Sequence, residues 1–356
     1  MPISEHLDQL AAFEPTTLPV VSLYLNTQPD KHGRAHFAPF IRKEFGALAN
    51  TFALRSPGRL SFERDAERIR QYLDHELEPS TNGLAIFACA GKGDFFLVLQ
   101  LDAPLTRNQL YVGDQPHLYT LARLYDQHRR YAVVIADTNS ARIFVFGLMK
   151  TIGQEQVNST KVSRTQVGGW SQARYQRHVR NYHLHHAKEI VETLDRTVRE
   201  EGIEQIVFGG DEVIIPVLRD QLPEFLARKV IDVLRLDIRT PEQEILSATI
   251  EAMREQDARD DAELVKRLFD EYRAGGLGAV GLRQTLEALK NGQVDKLILS
   301  ASIKEIRGDS GEDTEVFASD ELVTRATQTG AEVRFIEDPA LMADAGGVGA
   351  MLRFRL

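Results

Sequence analysis

Cysteine is almost absent from this sequence of 356 residues, because Cys89 is the only one. A single cysteine excludes an internal disulfide and is typical of a reducing compartment. No apolar stretch approaches the length that a membrane-spanning helix needs. The first ten residues, MPISEHLDQL, lack the basic and then apolar pattern of an export signal. We therefore expect a cytoplasmic protein without a membrane segment, and its length predicts more than one domain.

Acidic residues are missing from one part of an otherwise acidic chain. The formal net charge is −9, which opposes a uniform coating of nucleic acid. Between Lys161 and Lys188, however, there is no Asp or Glu. The basic residues of this segment, our candidate RNA-binding residues, are Lys161, Arg164, Arg174, Arg177, Arg180 and Lys188. An acidic protein with one basic segment is predicted to contact a polyanion there.

Alternating strand and helix patterns predict a mixed α/β fold with three domains. The first domain, residues 1–128, contains a strand at Pro19–Thr27 and a hairpin whose strands are 84–90 and 95–101. The second, residues 129–255, begins with two buried strands, YAVVIAD and RIFVF. The third, residues 256–356, is predicted to be a small α/β sandwich, with a helix at 321–329 and a closing strand at 351–356.

A glycine-rich segment precedes the longest helical pattern of the chain. Its residues, our candidate catalytic set, are Gly168, Gly169, Trp170, Ser171 and Gln172. Apolar residues then recur at helical spacing, which predicts one amphipathic helix with Ser171 as its N-cap and Gln172 near the positive end of the helix dipole. The glycines allow a close backbone approach, and Trp170 offers a stacking surface. Gln172 alone would also suit an ordinary first helical turn. Together with the basic residues around it, the segment suits a nucleic-acid ester.

Other motifs predict neither a cofactor nor a metal. Gly276, Gly278 and Gly281 have the spacing of a dinucleotide-binding loop, but a helical pattern precedes them where that motif requires a strand. The histidines of the basic segment are His178, His183, His185 and His186. No carboxylate or cysteine accompanies them there, and the arginines would repel a cation, so solvated or phosphate-facing histidines are the favoured interpretation. No Ser-His-Asp order or Cys-His pair indicates covalent catalysis.

Three stretches resemble the archaeo-eukaryotic class-one peptide chain release factor superfamily. The sequence GGWSQARYQR at 168–177 resembles the family's Gly-Gly-Gln loop and the basic helix that follows it, and IEQIVFGG at 203–210 resembles the next strand. Residues 268–300 and 330–356 resemble the start and the end of the family's C-terminal domain. The resemblance, as a prokaryotic member, implies a ribonuclease-H-like middle domain and an L7Ae-like C-terminal domain. It also implies the ribosome, peptidyl-tRNA and ribosomal RNA as partners, and a translational GTPase at the C-terminal domain.

Two departures from the family qualify the expected activity. Trp170 stands where the family has its catalytic Gln, and Gln172 follows two positions later. Vms-type peptidyl-tRNA hydrolases likewise depart from Gly-Gly-Gln and keep a nearby Gln. The first domain lacks the family's Asn-Ile-Lys-Ser and Tyr-Cys stop-codon motifs. We therefore expect codon-independent hydrolysis of the peptidyl-tRNA ester in ribosome rescue. A non-catalytic, Pelota-like factor that binds stalled ribosomes and a ribonuclease acting on the tRNA acceptor end are the alternatives.

Overall fold

The computed structural model describes residues 3–29, 37–101, 103–147, 150–158, 172–302 and 312–355. Its helices and sheets confirm the predicted mixed α/β class. The chain forms two compact units: a split unit made of Met1–Gln127 and Asp260–Leu356, and a continuous unit, His128–Arg259. The division into three domains, with a ribonuclease-H-like middle domain and an L7Ae-like C-terminal domain, stays a prediction. Within the described ranges, no helix combines the length and the apolarity needed to cross a membrane.

The first segment of the split unit, residues 1–127, is built around an antiparallel sheet. In chain order its elements are α1 (Ile3–Ala11), β1 (Val20–Asn26), α2 (Phe37–Ala49), α3 (Pro57–His75), β2 (Gly83–Cys89), β3 (Phe95–Leu101), β4 (Gln109–Gly113) and α4 (Tyr119–Gln127). The strand order is β3-β2-β1-β4, and α2 and α3 pack on one face of this sheet through Phe45 and Phe62. Strands β1, β2 and β3 lie where the sequence predicts them.

The second segment of the split unit, residues 260–356, contains a mixed sheet. After the end of helix α8 (Glu242–Arg273), its elements are β10 (Gly278–Val280), α9 (Leu282–Lys290), β11 (Val294–Ser300), α10 (Glu312–Gln328), β12 (Glu332–Ile336), a 3-10 helix (Pro339–Ala345) and β13 (Val348–Leu352). The strand order is β10-β13-β11-β12; β11 and β12 are parallel, and the other pairs are antiparallel.

Two sequence predictions for this second segment were wrong in their bounds. The closing strand runs from Val348 to Leu352, whereas the sequence predicts 351–356. Gly349 lies in that strand, where a Cβ would come within 2.5 Å of a methyl carbon of Leu268. Helix α10 begins at Glu312, well before the predicted start at Glu321. Both starts were missed because apolar periodicity does not identify them: the strand begins around a glycine, and the helix begins with charged residues.

The continuous unit has a five-stranded sheet covered on both faces. Its elements are β5 (Tyr131–Ala136), β6 (Ser140–Gly147), β7 (Lys150–Asn158), α5 (Gln172–Glu201), β8 (Gln205–Gly210), α6 (Ile214–Gln221), α7 (Glu224–Ala227), β9 (Val230–Leu234) and the first part of α8. The strand order is β7-β6-β5-β8-β9; β5, β8 and β9 run parallel, and β6 is antiparallel to both of its neighbours. Helix α5 packs on one face through Ile190 and Leu194, and α8 packs on the other through Ile245.

Glycine at the end of β8 allows two central strands to meet closely. Gly210 has φ +130°, and a Cβ at this position would lie 1.9 Å from the carbonyl oxygen of Ala136 on β5. Only glycine fits such a backbone approach. The pairing of β5 with β8 therefore continues to the last residue of both strands, where Asp137 and Asp211 follow.

Candidate nucleic-acid interface

Helix α5 begins at Gln172 and continues without a break to Glu201. Its start agrees with the prediction that the helix follows the glycine-rich segment. Gly168, Gly169, Trp170 and Ser171 lie outside the described residues, as do Lys161 and Arg164. For Gln172 and Arg174 the structure describes the backbone, which is helical, and not the side chain. The candidate catalytic and RNA-binding assignments thus stay predictions.

The two halves of α5 differ in their burial. Among the side chains of α5 that the structure describes, none before His186 is buried. From His186 onward the helix packs against the sheet, and the packed residues are Ala187, Ile190, Val191, Leu194 and Val198. The 14 residues from Gln172 to His185 correspond to about 21 Å of helix. The first half of α5 therefore extends beyond the part that the hydrophobic core holds in place.

Exposed basic side chains occupy this first half and its junction with the second. Arg177, Arg180 and Lys188 are exposed, and none forms an ion pair with another described residue. Asn181 and His185 are also exposed, so polar groups continue from one helical turn to the next. We call Arg177, Arg180 and Lys188 the cationic stripe. Because no described carboxylate neutralises these cations, they are available to an anionic ligand.

The basic residues near the second half of α5 are neutralised by acidic partners. Arg196 contacts Glu155 of β7 at 2.6 Å. Arg199 contacts Asp195, one helical turn away, at 2.7 Å. Arg130, just before β5, contacts Glu201 at 2.6 Å. The sequence indicates this contrast, since no Asp or Glu lies between Lys161 and Lys188, but it does not show which carboxylate pairs with which arginine.

The histidines of the basic segment do not act as one group. His185 is exposed, His183 is half-buried and His186 is fully buried beside the turn that joins β5 to β6. Burial lowers the pKa of His186, although hydrogen bonds with the backbone of Ser140 and Asp137 act in the opposite direction. Within the described part of the chain, no three His, Cys, Asp or Glu side chains come together in a way that could hold a metal ion.

The turn that His186 covers is fixed by one carboxylate. Asp137 Oδ1 accepts hydrogen bonds from the backbone N–H groups of Asn139 and Ser140, each at 2.7 Å. This arrangement is an Asx-type turn, in which an aspartate side chain closes a tight loop. The turn and the buried His186 together fix the point at which α5 leaves the core.

Comparison with known proteins places the chain among translation factors. Residues 116–255 match the model of bacterial archaeo-eukaryotic release factor family 10, and residues 258–356 match that of eRF1 domain 3. The chain is 21% identical over 395 residues to peptide chain release factor subunit 1 of Thermoplasma acidophilum, with 98% of this chain and 94% of that protein covered. The chain belongs to the archaeo-eukaryotic release factor superfamily.

Two further matches are a pelota homolog and the solved structure of a yeast protein. The pelota homolog of Pyrococcus furiosus is 26% identical over 178 residues, which cover 47% of this chain and 48% of that protein. Among solved structures, Dom34 of S. cerevisiae, described as a translation termination-like factor, matches 77% of this chain and 87% of its own. The identity is 9% and the TM-score 0.46.

Proposed function

We propose that this protein is a ribosome-associated release or rescue factor that hydrolyses the peptidyl-tRNA ester without reading a stop codon. Its relatives are peptide chain release factors and a pelota homolog, which supports the ribosome as the site of action. The single observation that carries the proposal is the first half of α5. This half-helix follows the glycine-rich segment directly, extends beyond the core, and presents unneutralised cations.

The cationic stripe suits the phosphates of tRNA or ribosomal RNA. Arg177 and Lys188 are 11 residues apart on the helix, which corresponds to about 16 Å along its axis. A ligand that contacts both must be extended and must carry several negative charges, as an RNA backbone does. Such contacts position the helix without reading sequence, so they agree with an activity that is independent of the codon.

The chemistry assigned to Gln172 is the positioning of water and the donation of a hydrogen bond. Attack of water on the ester builds negative charge on the carbonyl oxygen, and the departing ribose oxygen needs a proton. The first N–H groups of α5 have no partner within the helix and lie at the positive end of its dipole, where they stabilise such a charge. The amide of Gln172 is not a general base, because an amide has no useful basicity near neutral pH.

Release of labelled peptide from peptidyl-tRNA tests this function on 70S ribosomes and on 50S subunits. We expect wild type to release peptide from particles with no stop codon, and Gln172→Ala to lose release while it still binds. Gln176→Ala is the matched control, since it removes the same amide one helical turn further along. Equal activity of the wild type and Gln172→Ala proteins would reject the role of Gln172. An intact tRNA product would exclude a ribonuclease.

Trp170 favours a second candidate, a Pelota-like factor that binds stalled ribosomes without hydrolysis. In the resemblance to the release factors, this tryptophan occupies the position of the catalytic Gln. The binding factor predicts salt-sensitive binding to both particles and no peptide release by the wild type. Trp170→Gln restores the order Gly-Gly-Gln. If Trp170→Gln releases peptide and the wild type does not, the protein is a factor that binds stalled ribosomes without hydrolysis.

A further inference from the structure

Helix α4 belongs to the first segment of the split unit, but its N-terminus is held by the second. Asp320 of α10 accepts hydrogen bonds at Oδ1 from the N–H groups of Leu118 and Tyr119, at 2.5 and 3.1 Å. The same oxygen lies 3.3 Å from Nδ1 of His117, whose side chain is buried. The first N–H groups of a helix need acceptors from outside it. For α4 that acceptor comes from about 200 residues further along the chain.

The other end of α4 is also held by the second segment. Asp126 Oδ2 accepts a hydrogen bond from the backbone N–H of Phe335 at 2.8 Å. Its other oxygen lies 3.5 Å from Arg334 Nη1, and Arg334 Nε donates to Asp261 at 2.7 Å. All three charged side chains are at least nine-tenths buried. Buried charges of this kind are costly unless each keeps its partner. The three groups therefore favour one arrangement of α4, β12 and α8.

Side-chain contacts of Tyr119 and Arg123 in α4 connect the same two segments. The hydroxyl of Tyr119 donates to the carbonyl oxygen of Ser300 at 3.0 Å. Its ring packs edge to face against Phe335, with centroids 5.1 Å apart. Arg123 donates to the carbonyl oxygen of Ala301 at 3.0 Å and forms an ion pair with Glu337 at 3.2 Å. Tyr119, Arg123 and Asp126 of α4 thus contact residues near the carboxyl ends of β11 and β12. Thr120 keeps a hydrogen bond to Gln109 of β4 in the first segment.

We propose that α4 is a clasp that joins residues 1–127 and 260–356 into one cooperative body. A helix of nine residues is marginal by itself. The partners at its two ends, Asp320 and Arg334, lie in the second segment, whereas the chain enters α4 directly from the sheet of the first. Neither segment can release α4 without exposing buried polar groups of the other. The two segments consequently open and close together, although 132 residues of the continuous unit separate them in sequence.

Native-state hydrogen exchange of the full-length protein in increasing urea tests the clasp. We expect the slowest amides of α4, β1 and β12 to converge on one opening transition with the same urea dependence. The amides of β5 and β8 report the continuous unit and serve as the internal reference. If α4 exchanges together with β1 while β12 opens in a separate transition, the two segments are independent and the clasp is refuted.

Asp320→Ala and Glu321→Ala form a matched pair of variants for the same measurement. Both remove a carboxylate from α10, but Glu321 pairs with Arg325 on its own helix, whereas Asp320 caps α4. We expect Asp320→Ala to accelerate exchange about tenfold in α4 and in the strands of both segments, as the loss of a helix cap does. Glu321→Ala should leave these rates unchanged. Equal effects of the two variants, or an effect of Asp320→Ala that is confined to α10, would refute the clasp.

Discussion

The cationic stripe allows a quantitative prediction for binding to ribosomal particles. Replacing Arg177, Arg180 and Lys188 by Gln removes three exposed cations that have no ion-pair partner among the described residues. Each phosphate contact contributes about 0.9 to the slope of log affinity against log salt concentration on a duplex. Three contacts contribute about 2.7, which corresponds to a roughly 40-fold change in affinity over a fourfold range of salt. We therefore expect the triple variant to lose about 2.7 from this slope, which is half of what the six candidate RNA-binding residues would contribute together.

The measurement is equilibrium binding to purified 50S subunits at several KCl concentrations. The control is a second triple variant, in which Arg130, Arg196 and Arg199 become Gln, so that the net charge changes by the same amount. Each of these three arginines already contacts a carboxylate at 2.7 Å or less. Losing such surface pairs costs at most about 1 kcal/mol of stability each. If both triple variants reduce the salt dependence equally, overall charge determines binding and the reasoning from the stripe fails.

Three further predictions concern the free energy of unfolding, measured with urea. Gly210→Ala should lose more than about 3 kcal/mol, because its Cβ would collide with the carbonyl oxygen of Ala136; near-wild-type stability would contradict the close approach of β5 and β8. Burial raises the pKa of Asp65 to about 6, so stability should fall between about pH 4 and 6 as the unfolded state releases a proton that the native state keeps. Asp65→Asn should remove this decline of about 2 kcal/mol, and an unchanged pH profile would argue against it. Arg334→Met should cost about 3–5 kcal/mol by leaving buried carboxylates without their cation, whereas Lys296→Met, at a more exposed ion pair in the same sheet, should cost less than about 1 kcal/mol.

Local sequence patterns were sufficient to predict a strand or a helix whose packing partners are close to it in the sequence. Strands β2 and β3 were predictable because both are apolar runs: β2 ends just before the turn Gly91–Asp94, and β3 begins just after it. Helix α5 was predictable because its apolar residues keep helical spacing over many turns. In both cases the hydrophobic pattern and the turn or cap residues agree, so no information from distant residues is required.

Elements that depend on distant partners were not predictable. Helix α4 escaped notice because it is short and because its inward face includes Asp126, an acidic residue that apolar periodicity counts as solvent-facing. Its burial requires Arg334 and the backbone of Phe335, about 200 residues away. For the candidate site, the basic composition indicated the stripe, but whether a given arginine is neutralised depends on tertiary neighbours. Arg196 is neutralised by Glu155 from another element, whereas Arg177 has no such partner among the described residues.

The split unit has a consequence for the order of events during synthesis. Residues 1–127 leave the ribosome before the 132 residues of the continuous unit, and only then do Asp320 and Arg334 emerge. Leu118 and its acceptor Asp320 are 202 residues apart in the chain. At about 5–20 residues per second, the interval before Asp320 emerges lasts roughly 10–40 seconds. During that time the acceptors and the cation that α4 requires do not yet exist. We therefore expect the continuous unit to complete its folding on the nascent chain before residues 1–127 can complete theirs, because the split unit also needs residues 260–356.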